Sequence, residues 1–530
     1  MSPWTPAARA LLALAALAPA PLAAPARATG FEELGTVLGE RIDRHVLWSG
    51  TFRLRADVLS NLDLDRGPTP SGQLLFPVPL SDPTAQTLTH VDMRLRQDLT
   101  LVAPMGGLAV HLRLDMLDGL VLGSSPDGPP SAATGQSPSG ASLTIKRAWA
   151  ESLIPFGVVA AGRMGSHWGL GMLTHGGDDL DSDSGDAADR IAFATPLFGL
   201  VWSAAFDFTA IGPTTARKGG SGVVDLDPAD NVWTATVAVL RYHDALAHAR
   251  RKRAGKLTVD FGGYLSHRWQ DKDVPATYAP LAVTPALDVR QVMARGFTAT
   301  AVDGWLRVTH PLFEVEAEAA YLAGGYDQAS LVPGVLLAER ITAEQWGFAV
   351  QSRFGDAGRG PSGGLDLGAA SGDAAYGFGV SQPLGQSSPV LGDLDGPQAS
   401  LPYDTRFTNL SFHSDYRIDQ ILFREIIGTV TDAFYLRPHG RVTLPRFLGG
   451  SLQVDLALIA SWAMEPTSTP GQARPLGVEL DPSLSYRTDD GFRLDVAYAV
   501  LFPLAGLDNP TLGLDAKPAQ LVRVRLGYAF

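Results

Sequence analysis

The chain has 530 residues, a formal net charge of −13 and no cysteine. The missing thiols exclude disulfides, thiolate metal sites and cysteine nucleophiles, and the acidic balance argues against a nucleic-acid binder. Charged residues make up only 18%, below the roughly 25% of soluble chains, yet beyond the N-terminus no apolar run approaches the roughly 18–20 residues of a spanning helix. Such a chain can meet lipid only as a closed barrel, whose strands satisfy one another's backbone groups.

In chain order, Arg9 followed by the Leu/Ala run Ala10 to Ala18 has the makings of an export signal. Ala26-Arg27-Ala28 offers a cleavage site, with Leu22-Ala23-Ala24 as a weaker alternative, so residues 1–28 are expected to be a signal peptide. Phe31, Leu34, Leu38 and Ile42 stand at helical spacing and predict a short amphipathic helix over 29–46, periplasmic or tucked into a lumen. Residues 47–530 are the expected barrel.

Beyond residue 46 the dominant signal is strict alternation over about ten residues between turns, the mark of transmembrane strands. Val522, Val524, Leu526, Tyr528 and Phe530 fall on one face of the last segment, with Arg523, Arg525, Gly527 and Ala529 on the other. The predicted strands are 47–58, 88–102, 108–118, 142–153, 157–168, 189–195, 199–209, 232–244, 256–268, 294–308, 312–324, 341–354, 363–373, 428–442, 450–463, 475–486, 491–502 and 519–530. Several exceed the five or six residues usual in a soluble sandwich. Eighteen is an even number, as bacterial single-chain barrels require. Short turns follow the even strands, and long segments such as 59–87, 119–141, 269–293 and 374–427 follow most odd ones. The expected fold is therefore all-β: a closed antiparallel transmembrane β-barrel of eighteen strands with a short N-terminal helix, both termini periplasmic. Trp168, Trp233, Trp269 and Trp462 are expected near the external rim, and Trp48, Tyr528 and Phe530 near the periplasmic one.

Arginine on the polar parity is the main functional clue. Arg53, Arg55, Arg94, Arg96, Arg113, Arg163, Arg353, Arg493, Arg523 and Arg525 are expected to line the lumen, because a guanidinium facing lipid at mid-depth costs about 2–4 kcal/mol. Rings of arginine favour anions; equally, these side chains can neutralise Asp57, Asp92, Asp98, Asp115, Asp260, Asp455 and Asp495 on neighbouring strands. Glu314, Glu316 and Glu318 form an acidic row on one strand.

The segment 176–189 packs six aspartates into an expected external loop. Asp179, Asp181 and Asp183 have the alternate spacing of a calcium loop, but Ser184 and Arg190 replace the glycine and glutamate of an EF-hand. A Ca2+ site there stands against a solvated acidic loop, and no other cofactor is expected. The basic run over 245–256, with Arg250, Arg251, Lys252, Arg253 and Lys256, is expected as a solvated turn, with anionic headgroups or a periplasmic partner as the sharper alternative. Eleven histidines are present, but no H-E-x-x-H, G-x-S-x-G or P-loop, so no enzyme is expected.

Two stretches carry a family likeness. Arg163-Met-Gly-Ser-His-Trp-Gly-Leu-Gly-Met172 with Leu180-Asp-Ser-Asp-Ser-Gly-Asp186 and Asp189-Arg190, and Phe412-His-Ser-Asp-Tyr-Arg-Ile-Asp419 with Ile421-Leu-Phe-Arg-Glu-Ile-Ile-Gly-Thr-Val430, resemble an outer-membrane family of myxobacteria. Gly477-Val-Glu-Leu-Asp481, Ser485-Tyr486, Ala497-Tyr498 and Phe502-Pro503 are more distantly similar to the end of alginate-export porins. The resemblance implies an eighteen-stranded porin-like barrel and transfers no substrate residue. In such barrels the last strand meets the assembly machinery, which puts Leu526, Tyr528 and Phe530 in an assembly signal. The expected protein is thus a channel or export pore in a Gram-negative outer membrane, passing small or extended (even polymeric) anionic solutes. Its other partners are outer-membrane lipid and the barrel assembly machinery, with no nucleic acid. The rivals are a barrel presenting loops for surface contact or adhesion, and a lipid or peptide hydrolase at the rim.

Overall fold

The computed structural model describes residues 31, 34–38, 45–122, 143–209, 230–273, 292–328, 339–355, 360–379, 389–399 and 403–530. The expected signal peptide and most of the expected 29–46 helix lie outside these; Leu34 to Leu38 form turns, and Phe31 and Leu38 are buried.

Eighteen strands make the wall. The first nine are β1 (Val46–Ser60), β2 (Thr87–Val102), β3 (Leu108–Val121), β4 (Leu143–Ile154), β5 (Gly157–Gly165), β6 (Ala187–Leu197), β7 (Leu200–Thr209), β8 (Val232–Arg241) and β9 (Thr258–Asp273). The rest are β10 (Met293–His310), β11 (Phe313–Tyr326), β12 (Ile341–Gly355), β13 (Gly360–Ala370), β14 (Ala433–Phe447), β15 (Gly450–Ala463), β16 (Pro475–Thr488), β17 (Phe492–Pro503) and β18 (Ala519–Ala529). Each pairs antiparallel with its sequence neighbours, and β1 closes the ring on β18 from Thr51↔Ala529 to Ser60↔Gln520. Gly50 and Phe530 exchange backbone hydrogen bonds of 2.9 and 3.0 Å at the seam. Closure leaves no sheet edge, so no backbone group is stranded in lipid. A two-residue strand, Arg406–Phe407, pairs parallel with β12 inside the long connection before β14.

Side chains sort by parity, as pleating requires. Val522, Val524 and Tyr528 of β18, Val454, Leu456 and Leu458 of β15, and Phe261 and Leu265 of β9 are exposed outward. No helix among the described residues is long and apolar enough to cross a membrane; an outward apolar band on a closed barrel crosses with strands instead.

Inside, the parity-matched positions of β12 to β18 are often small. Ala349, Ala370, Ala433, Ala457, Ala463, Ala499 and Ala519 are buried there against Leu410, Phe412, Tyr416, Ile418, Ile421, Leu422, Phe423, Ile426 and Ile427 of the connection between β13 and β14. The small wall residues give these large side chains room. At Gly347 a Cβ would come within 2.6 Å of Leu410 Cδ2 and 2.7 Å of Phe412 Cε1, so glycine is what lets the segment approach. Burial of Ile421, Leu422 and Phe423 contributes about 2 kcal/mol each.

This inward folding explains where the structure departs from the predicted boundaries. Strand β14 starts at Ala433 rather than 428, since the preceding residues include a short π-helix, Leu422–Ile426, within the lumen. Strand β5 ends at Gly165 rather than 168 because the chain turns inward there. Trp168, expected at the external rim, is accordingly buried inside, its Nε1 donating to Asp303 Oδ1 at 3.0 Å. The basic run is not an irregular turn but begins as a helix, α1 (Ala245–Arg253), capped by Asp244 accepting from Ala247 N at 2.6 Å. Four basic residues in its last turn interact favourably with the helix dipole.

Candidate functional site: the charged lumen

The lumen is crossed by two segments, 166–186 between β5 and β6 and the 403–432 part of the β13–β14 connection. The first is pinned at its start. Leu170 N donates to Glu318 Oε2 at 2.5 Å, next to the Trp168–Asp303 bond. Its acidic half then lies against β1, β2, β3 and β18. Leu180 sits on Gly527, where a Cβ would meet Leu180 Cδ2 at 2.5 Å.

Arginine forks do the holding, because each guanidinium offers five donors and can serve the wall and a loop at once. Arg53 and Arg55 each donate to Asp92 at 2.8 Å, and both also reach Asp183, at 2.9 and 2.8 Å. Arg96 spans Asp115 at 2.8 Å and Gly177 O at 2.5 Å. Arg113 joins Asp98, at 2.6 Å, to Asp178. Arg94 donates to Ser182 O at 2.5 Å. Arg525 bridges Asp495 at 2.9 Å and Asp181 at 2.6 Å, while Arg523 bridges Asp57 at 2.6 Å and Glu425 at 2.8 Å.

Nine of the ten expected lumen arginines therefore do face inward. Arg493 pairs with Asp495 at 2.7 Å, and Arg353 with Glu314 at 2.9 Å. The exception is Arg163. It lies on the outer parity of β5 with Val159 and Ala161, half-exposed, and its cost is offset by an ion pair of 2.8 Å with Asp189 across the strands. The zigzag after Gly162 places inward Met164, not Arg163, in the core.

Two decisive cations escaped sequence reasoning because they belong to a connection rather than a strand. Arg424 reaches Asp181 at 2.6 Å, and Arg417 reaches Asp183 at 2.8 Å. The available signal was apolarity: Ile418, Ile421, Leu422, Phe423, Ile426 and Ile427 are too many apolar residues for a solvated loop. Asp415 then ties the two segments, accepting from Asp183 N at 3.1 Å and Ser184 N at 2.9 Å. Burial alone would raise the Asp181 carboxyl, but Arg424 and Arg525 override it and hold the group well below the ordinary range. Asp183 is likewise lowered against its burial by Arg55 and Arg417, and Asp178, also against burial, is drawn down to about 2 by Arg113 and Arg147.

Asp181 and Asp183, expected as cation ligands, thus spend their oxygens on guanidinium groups; Asp179 is apart from them, 3.9 Å from His175 Nε2. Among the described residues, His175, His413 and Asp415 bring ligand-type atoms within 4.8 Å of one another. Both rings already accept a backbone N–H at Nδ1, from Gly177 and Asp415, each at 3.1 Å. That fixes the ring proton on Nε2. Asp415 also accepts from Arg417 at 2.9 Å, so a metal would have to displace this whole set.

Docking at this junction is expected to depend on pH. Burial lowers the His175 imidazolium below its ordinary value, partly offset by Asp415 and Asp179, with His413 adding to the lowering and Asp178 opposing it. A histidine that binds protons less well when docked stabilises docking above its free value, about 6.5, and that stability is lost as pH falls through it. Asp178, Asp181 and Asp183, with lowered values, hold until far more acid conditions. Opening flickers in single-channel current are therefore expected to grow between about pH 7.5 and 5, either side of that free value. A His175→Gln channel should show no such dependence, and an unchanged wild-type trace would refute the assignment.

Among the described residues, three cavities inside the barrel surround these segments. One of about 860 Å³ opens among the long connections, lined by Trp168, Tyr264, Phe297 and Tyr326. One of about 680 Å³ lies toward the short turns, lined by ten arginines and eight carboxyl side chains. Between them is a space of about 300 Å³ that shares His167 with the first and Asp181, Gln351, Arg417, Arg493 and Arg525 with the second. On the inner wall, His111 bonds Thr100 at 3.0 Å and Glu151 at 3.2 Å, while Asp115 serves Arg96.

The fold and site define a closed, eighteen-stranded antiparallel β-barrel with a charged lumen narrowed by its own connections. No family model matches the chain, so the likenesses to a myxobacterial family and to alginate-export porins stay resemblances. No curated relative matches it either. Among solved structures it is similar to OccAB2 of Acinetobacter baumannii, with 9% identity, a TM-score of 0.46, and 93% of this chain and 99% of that one covered. OccK11 (OpdR) of Pseudomonas aeruginosa gives 12% identity and a TM-score of 0.44 over 91% and 96% of the chains. The outer membrane protein opdK of Pseudomonas aeruginosa gives 9% and 0.45 over 91% and 98%. At such TM-scores these are likenesses of outline, and the class of the fold rests on the barrel's own register and outer face.

Proposed function

We propose that the chain is a porin-like diffusion channel of a Gram-negative outer membrane, selective for small or extended anionic solutes. The observation that carries it is the series of cavities inside a closed barrel, of about 860 and 680 Å³ toward the two ends, with one of about 300 Å³ that shares lining residues with both. In the turn-side cavity arginines outnumber carboxyl groups ten to eight. One of those carboxyls, Asp419, is pushed up by burial and by neighbouring Glu479. A positive, low-dielectric bore concentrates anions. Long connections facing outward would put both termini in the periplasm.

Planar-bilayer conductance with a salt gradient tests this. The wild-type channel should conduct, with a reversal potential of anion selectivity. Arg487 lines the turn-side cavity and makes no ion pair among the described residues. Replacing it with Gln should lower the anion-to-cation permeability ratio by roughly twofold. A cation-selective or non-conducting wild-type barrel would overturn the proposal.

The last strand also supports recognition by barrel assembly machinery. Leu526, Tyr528 and Phe530 alternate to the end of the chain; Tyr528 faces outward, and Phe530 meets Trp48 edge-on at 5.4 Å between ring centroids. Deleting Phe530 should abolish most of the heat-modifiable, membrane-inserted protein, whereas Ala529→Ser should not. Normal insertion of the deletion would exclude this end as the signal.

A further inference from the structure

We propose that α1 and the turn after it form a binding site for the phosphate headgroups of anionic phospholipid, in the leaflet at the short-turn end. The site rests on the barrel lying in a membrane and not on what it transports.

One face of α1 is fixed to the inner side of the wall at the rim, on the buried Thr258 and Asp260 of β9. His248 Nε2 lies 2.6 Å from Asp260 Oδ2, which Arg307 also reaches at 3.1 Å. Arg251 donates to Thr258 Oγ1 at 3.0 Å and Leu257 O at 2.6 Å. The opposite face then carries Leu246, Arg250 and Arg253 together, since positions three and four apart share a side. Arg241, Arg250, Lys252, Arg253 and Lys256 are all exposed, and none makes an ion pair among the described residues. A rigid array of unpaired cations is what a phosphate layer would complement.

Free anions in solution would ask for no more than that. The apolar neighbours ask for a bilayer. Leu246 is 59% and Leu257 46% exposed, and Arg241 stands opposite the outward Phe261 in the β8–β9 ladder. The flanking turns at this end carry Phe198 and Leu312, exposed by 88% and 68%. A rim whose turn tips are bare hydrophobics belongs at the boundary between acyl chains and headgroups. Cations placed beside that rim reach the phosphates while Leu257, on the outward parity of Phe261, and the tips Phe198 and Leu312 reach the chains.

The full-length barrel can be reconstituted in nanodiscs of phosphatidylcholine with a minor fraction of phosphatidylglycerol, extracted gently, and its retained lipid counted by native mass spectrometry. Wild type should retain phosphatidylglycerol preferentially, the preference should fade as NaCl is raised, and millimolar inorganic phosphate should not displace it. The variant R250Q/K252Q/R253Q/K256Q should lose the preference by about tenfold or more, while R250K/R253K keeps it. Heat-modifiable mobility confirms that each variant is folded. Equal retention of both lipids by the wild type, or a preference unchanged in the quadruple Gln variant, would overturn the site. Conductance is not the readout, so a barrel that conducts poorly can still bind lipid, and the reverse.

Discussion

Replacing Asp181 with Ala is expected to raise single-channel conductance, with frequent open-state excursions where the wild type is quiet. Its carboxylate lies within 2.6 Å of both Arg424 and Arg525 and within 3.4 Å of Arg417. Removing it leaves Arg424 with only Glu425, at 3.5 Å, as counter-charge, and crowds it against Arg525 and Arg417, which keep Asp495, Asp183 and Asp415. Breaking one side of such a cluster costs about 3 kcal/mol, which shifts the balance between docked and undocked segment by roughly a hundredfold. Asp181→Asn keeps the shape and one acceptor and should fall between the two. The barrel itself should remain heat-modifiable, since its ladder does not depend on the segment. Wild-type conductance in Asp181→Ala would mean that the segment's other anchors, Asp178 and Asp183 among them, hold it without Asp181.

Glu479→Ala should release the second segment. Both carboxylate oxygens of this β16 residue accept consecutive backbone N–H groups, from Gln420 at 2.9 Å, Ile421 at 2.8 Å and Leu422 at 3.0 Å. Alanine leaves the Ile421 and Leu422 donors buried and unsatisfied, at about 1–3 kcal/mol each, comparable to or more than the packing of one large side chain returns. Trypsin reports the result directly. Arg424 is nearly buried in the docked segment, with 5% of its side chain exposed, and should resist cleavage in the wild type. In the variant, cutting after Arg424 should be many times faster while the barrel's gel mobility is unchanged. Protection equal to wild type would show that Glu479 is not the anchor.

Much of the wall was legible because a strand's period of two is a local property. Alternation of apolar and polar residues fixes which face meets lipid, so eighteen strands could be placed within a few residues of where they lie. The same parity rule put Arg53, Arg94 and Arg523 inside, and all three are buried there. It failed at Arg163, where an ion pair with Asp189 on the next strand makes an outward guanidinium tolerable. A cross-strand partner twenty-six residues away carries no periodic signal.

What lies inside the barrel was decided only by tertiary structure. By itself the sequence determined a closed wall with arginine within, because hydrogen-bond closure and the cost of charge in lipid act strand by strand. It left the aspartates of 178–183 as an external loop or a cation site. Their docking on Arg53, Arg55, Arg113 and Arg525 of the wall, and on Arg417 and Arg424, depends on groups as much as 344 residues apart, Asp181 and Arg525, meeting in space. Trp168 moved from the rim to the interior for the same reason: Asp303 and Glu318, on two other strands, satisfy its ring nitrogen and the turn beside it. Local periodicity sets faces; only the folded barrel brings opposite walls close enough for charge to choose its partner.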